Sequence, residues 1–135
     1  METIIKDNDT IVFCVNAKSF PEGVLEAHQT LHAMYPPAPD RRYYGISRPN
    51  HGDIHYKAAV GFGNQPEVQE QQLEKFVIRK GKYAGRVIRN FMEDIPAIGR
   101  TFQDLLEDVR IDPDGYCLEE YFDNDVRCLV KLKDD

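Results

Sequence analysis

Tryptophan is absent from this 135-residue chain, cysteine occurs three times, and no apolar run approaches the length of a membrane span. Each scarcity excludes something. A transmembrane helix needs about 20 consecutive apolar residues, so no span is expected. Cys14, Cys117 and Cys128 are odd in number and lack C-x-x-C spacing, which fits reduced thiols better than a disulfide framework. Residues 1–7 lack the basic stretch and apolar core of a secretory leader, and a cytoplasmic location is expected. Cations are also in short supply, with 17 Lys and Arg against 23 Asp and Glu and a net charge of −6. A nucleic-acid binder arrays cations against phosphates. Here the densest basic stretch, Arg79-Lys80-Gly81-Lys82, has turn chemistry, and Arg41-Arg42 opens a strand. Direct nucleic-acid binding is therefore not expected.

What is present describes one globular domain spanning residues 1–135. Hydrophobic residues make up 41% and charged residues 30%, a balance that supports a packed core and argues against disorder. Residues 10–17 read as a strand that is apolar on both faces, hence central in a sheet. Ser19, Pro21 and Glu22 read as a capping box, and Val24, His28, Leu31 and Tyr35 give the following helix its apolar stripe. Pro36, Pro37 and Pro39 end it. Strands at residues 42–47 and 54–62 flank a turn-rich connector. The polar stretch 63–72 is expected as a mobile surface loop. A second hairpin is expected to pair residues 74–78 with 83–91 across Lys80-Gly81.

The second half repeats this grammar. Asp94-Ile95-Pro96 reads as a cap followed by proline in the first helical turn, and Ile95, Ile98, Phe102, Leu105, Leu106 and Val109 form the stripe. Asp112-Pro113-Asp114-Gly115 stops the helix. A last hairpin pairs residues 117–122 with 126–132, turning at Asp123-Asn124-Asp125. The expected fold is α+β: tandem strand-helix-strand-strand halves, about 10–62 and 83–132, in a mostly antiparallel sheet with two helices and a central cleft.

The last hairpin holds the candidate site. Along a strand, Cys117, Glu119 and Tyr121 share one face, and Leu118, Glu120 and Phe122 share the other. Whichever face turns inward, one carboxylate enters apolar company. That costs several kcal/mol unless the acid is paired, hydrogen-bonded or protonated. Metal and redox readings are weaker. His28 and His32 stand one helical turn apart without the acid of an H-E-x-x-H motif, and His51 and His55 are unspecific. Cys14 and Cys128 read as core filler. No metal and no cofactor are expected.

Three segments carry a resemblance: residues 41–46 (Arg-Arg-Tyr-Tyr-Gly-Ile), residues 76–84 with Gly81-Lys82-Tyr83-Ala84, and residues 117–122 followed by Asp123-Asn124. Together they resemble the GyrI-like family, the small-molecule-binding domains also attached to multidrug-sensing and AraC-type transcription regulators. The resemblance implies a tandem fold with a cleft, and a glutamate on the last hairpin that holds a cationic or amphipathic organic ligand among aromatics. Carried onto this sequence, that residue is Glu119, with Tyr121 beside it and Tyr44, Tyr56 and Tyr83 as further ligand-binding candidates. Glu120 is then expected to face outward. Many such regulators carry a DNA-binding region ahead of this domain. Here the first expected strand lies within about ten residues of Met1, so a stand-alone binding protein is expected. Two alternatives remain open. One is a hydrolase of small electrophilic compounds with Glu119 as acid or base and Tyr121 assisting, although no Gly-x-Ser-x-Gly elbow is present. The other is a protein-interaction module, such as a gyrase-binding protein, acting through a protein partner.

Overall fold

A computed structural model describes residues 2–50, 52–62 and 73–134, with the side chain of Asn50 left out. Eight strands and two α-helices are present among the described residues, and every strand pairing within the units is antiparallel. The α+β class stands. The chain divides into two compact units, one continuous over Thr10–Ile78 and one discontinuous, made of Met1–Asp9 and Arg79–Asp135.

The continuous unit contains β2 (Thr10–Asn16), α1 (Val24–Met34), β3 (Arg42–Asn50), β4 (Asp53–Gly61) and β5 (Glu74–Ile78). Its strand order is β3-β4-β2-β5. β2 lies between two neighbours, as its two apolar faces require. One face, with Phe13, Val15, Ala58, Val60 and Phe62, packs on Ala27 and Leu31 of α1. The helix begins later than the capping box implies. Its N-cap is Gly23, and Ser19 serves through its backbone carbonyl, which accepts the Gly23 N–H at 3.2 Å. A Cβ on Gly23 would stand 2.8 Å from that carbonyl oxygen, so the tight turn needs glycine. β3 and β4 pair without interruption to Asn50 and Asp53, so the strands absorb most of the expected connector. The expected loop at 63–72 lies outside the described residues.

The discontinuous unit contains β1 (Glu2–Lys6), β6 (Gly81–Ile88), a 3-10 turn (Phe91–Glu93), α2 (Pro96–Leu105), β7 (Cys117–Phe122) and β8 (Asp125–Lys131). Its strand order is β1-β6-β8-β7. β1 is a strand that the alternation of Thr3, Ile4 and Ile5 was too short to announce. The expected hairpin of 74–78 with 83–91 does not form: β5 pairs with β2, and β6 pairs with β1 and β8. Lys80-Gly81 is therefore the passage from one unit to the other. Pro96 opens α2 as expected, but Asp94 is not a side-chain cap; its carboxylate accepts from Arg100 at 2.5 Å. The buried stripe of α2 is also shorter. Leu105 is fully buried with Ile98 and Phe102 against Ala84, Val126, Cys128 and Val130, whereas Ile95, Leu106 and Val109 are exposed. Burying Leu105 contributes about 2 kcal/mol towards holding α2 on its sheet.

Candidate functional site

The β7–β8 hairpin turns on Asp123 and Asn124 alone, with Asp123 in the left-handed region at φ 52°. Turn length sets register, and this two-residue turn places Glu119 opposite Cys128 and Glu120 opposite Arg127. The three-residue turn expected from sequence would have slipped each partner by one.

Glu119 lies on the α2 side of the sheet. Its row runs Arg86 on β6, Cys128 on β8 and Glu119 on β7. Cys117 and Tyr121 share its face and pack against the α2 core. The residue is 8% exposed. Tyr121, two positions on, donates its hydroxyl to Glu119 Oε1. The Phe91 ring, carried by the 3-10 turn, lies 5.4 Å from the Tyr121 ring. Electrostatics register the acid directly. The Cys128 thiol is pushed up to about 12, first by burial and then by Glu119 and Cys117, with Arg86 opposing. Arg86 itself donates to Asp104 of α2 at 3.2 Å. The arrangement offers a carboxylate, a phenol and a second aromatic ring within one apolar face.

Glu120 corrects the outward expectation. It is 4% exposed on the other face, and two cations neutralise it. Its Oε2 accepts from Lys6 Nζ at 2.5 Å and its Oε1 from Arg127 Nε at 2.8 Å. Burial is thus supported by ion pairing. Both acids of this strand are enclosed, one among aromatics and one among cations.

Tyr83 also belongs to the Glu120 face, because it pairs with Lys131 while Glu119 shares its face with Cys128 and Val130. The structure therefore brings Glu119 and Tyr121 together and sets Tyr83 on the opposite side of the same sheet. The Tyr83 hydroxyl is fully buried and donates to the Arg79 carbonyl at 2.6 Å. That leaves Tyr116 to donate to Tyr83 at 2.6 Å, and the Arg79 N–H donates to Tyr116 at 2.9 Å. Burial, then the hydrogen bond with Tyr116, raises the Tyr83 phenol well above its ordinary range. Beside it, the buried Lys131 ammonium donates to the Leu132 carbonyl at 2.7 Å and to Asp134 at 2.9 Å.

In the continuous unit, Tyr44 pairs with Ala59 and Tyr56 with Ser47, which puts the two tyrosines on opposite faces. Tyr44 lies across Gly61, where a Cβ would approach its ring to 3.3 Å. Tyr56 is buried under α1. Its hydroxyl is 2.9 Å from His28 Nε2, and Phe20 stacks on its ring at 5.9 Å. Burial, assisted by neighbouring His32, lowers His28 to about 4, so the imidazole is neutral at pH 7. His32 stacks on Tyr43 with centroids 4.0 Å apart. His55 approaches Asn16 Oδ1 at 3.1 Å, and Lys57 donates to the same atom at 2.8 Å. His51 lies outside the described residues.

Three features escaped the sequence: the cations on Glu120, the enclosed Lys131, and the His28–Tyr56 pair. Only Arg127 was within reach, by counting hairpin register from a two-residue turn. Among the described residues, no group of three or more His, Cys, Asp or Glu could hold a metal ion. No described helix is long and apolar enough to cross a membrane. Comparison with protein-family models and with curated proteins gives no match.

Proposed function

We propose that this chain binds a small cationic or amphipathic organic molecule at Glu119, with Tyr121 and Phe91 as its aromatic contacts. The observation that carries the reading is a carboxylate only 8% exposed, set on an apolar, helix-covered face with a tyrosine hydroxyl on its oxygen. Attraction between unit charges grows as the surrounding dielectric falls, and aromatic faces add cation–π contacts of about 0.5–2 kcal/mol. A ligand cation at this position therefore gains more than it would at a solvated acid. The element order supports the GyrI-like reading. β2-α1-β3-β4 and β6-α2-β7-β8 each run strand, helix, strand, strand, and the sheet orders β3-β4-β2 and β7-β8-β6 correspond. We read the two as tandem units of that type. The site is confined to the discontinuous unit, and Tyr44, Tyr56 and Tyr83 stay outside it.

Thermal-shift measurement with aromatic quaternary ammonium compounds and their neutral isosteres tests the reading. A cation present at about 100 times its Kd stabilises by about 2.7 kcal/mol. The expected result is a raised Tm for the cations only, lost in Glu119→Gln, which keeps an oxygen to accept from Tyr121. Equal shifts in both proteins, or none in the wild type, would remove Glu119 from the site.

A further inference from the structure

β1 is an outer strand, hydrogen-bonded to β6 on one side, with its register unbroken from Glu2–Gly85 to Lys6–Gly81. An edge of this kind directs alternate backbone N–H and C=O groups away from the sheet, ready to pair with another strand. No proline and no bulge interrupts it. Ile5, a large apolar residue, is 65% exposed on this edge.

The sequence of β1 is complementary to itself in one register. Glu2-Thr3-Ile4-Ile5-Lys6, paired antiparallel with a second copy about a two-fold axis at Ile4, sets Glu2 opposite Lys6 twice. The same register sets Thr3 opposite Ile5 twice and Ile4 opposite itself. Opposite charges and β-branched pairs in directly facing positions each favour antiparallel pairing. Moving the axis by one residue, to Thr3 or Ile5, removes both charge pairs. The charge balance of the Glu120 cluster points the same way. Lys6 and Arg127 bring two positive charges to the single negative charge of Glu120. Glu2 is exposed on the same face as Lys6, so the partner copy's glutamate would arrive where one positive charge is left over.

We propose that the β1 edge is a homodimer seam, continuing the sheet as β7-β8-β6-β1 into the same strands of a second copy in reverse order. The partner is a second copy of this chain because the edge offers it paired charges as well as backbone groups that face away from β6 and have no strand partner among the described residues. Five residues per strand make a small contact, so association is concentration-dependent.

Sedimentation equilibrium of the full chain from about 5 to 500 μM reads it out directly. The average mass is expected to climb from that of one chain towards that of two. Glu2→Lys places like charges opposite each other twice and is expected to weaken the dimer at least about fivefold at low salt, with Ile5→Lys acting in the same direction. Both positions are exposed, and a thermal melt confirms that each variant keeps its fold. Hydrogen exchange at Thr3–Lys6 is expected to slow as concentration rises. A wild-type mass that stays at one chain throughout overturns the proposal. So does a dimer whose affinity neither substitution changes.

Discussion

Lowering the pH should unlock α1 from its sheet through one side chain, His28. Its imidazole sits between α1 and Tyr56, held neutral by burial with a pKa of about 4 against the ordinary 6.5. An unfolded chain accepts a proton on this ring below pH 6.5, and the folded chain does not do so until about pH 4. Stability from this group is therefore fully present above pH 6.5, falls as pH drops through that window, and is gone below about 4. At about 1.36 kcal/mol for each pH unit of the gap, the ceiling is about 3 kcal/mol. The part of the ring that meets water keeps the realised value under that ceiling. Urea denaturation of wild type and His28→Gln at pH values from 7.5 down to 4 isolates the effect, because other titrating groups are common to both. The wild type should lose about 2–3 kcal/mol more than the variant across the window. NMR titration of folded protein should show His28 still neutral at pH 5. A His28 resonance titrating near 6.5, or a stability difference that stays constant with pH, would refute the reasoning.

Two further outcomes follow from the buried charges and thiols. Glu120→Gln removes the anion between Lys6 and Arg127, both of which remain partly enclosed. It should cost about 2–3 kcal/mol in urea denaturation; an unchanged midpoint would show that the two cations are solvated without it. Cys14 and Cys128 are buried, and burial pushes both thiols up to about 12. Native protein at pH 8 should resist iodoacetamide at both positions and react fully in urea, as read by mass spectrometry. Native alkylation of Cys14 or Cys128 at the rate of a free thiol would contradict their enclosure.

The parts of the molecule fixed by local pattern were legible. Period-3.6 apolar residues such as Leu31 and Leu105 marked both helices, and alternation put Glu119 and Tyr121 on one face. What alternation cannot supply is register between strands. Tyr44 and Tyr56 stand on one hairpin and both are ligand-binding candidates by sequence, but the pairing of Tyr44 with Ala59 sends them to opposite faces. Tyr83 and Glu119 part for the same reason. Glu120 was misplaced because one of its cations, Lys6, is 114 positions away, beyond any local pattern. The hairpin expected across Lys80-Gly81 had the right turn residues, yet β5 found a longer-range partner in β2. Local chemistry allows a turn; pairing energy elsewhere decides what the turn connects.

The discontinuous unit also imposes an order of events on the growing chain. β1 is made before β6, and the whole of Thr10–Ile78 is made between the two partners. Within that segment β3 pairs with β4, β4 with β2 and β2 with β5, so these ladders can form while β1 still waits. Bringing Glu2 to Gly85 then closes one of the longest loops in the molecule, a slow kind of contact to form. The β1–β6 pairing is thus expected among the later contacts to form, because it joins segments on either side of the whole continuous unit.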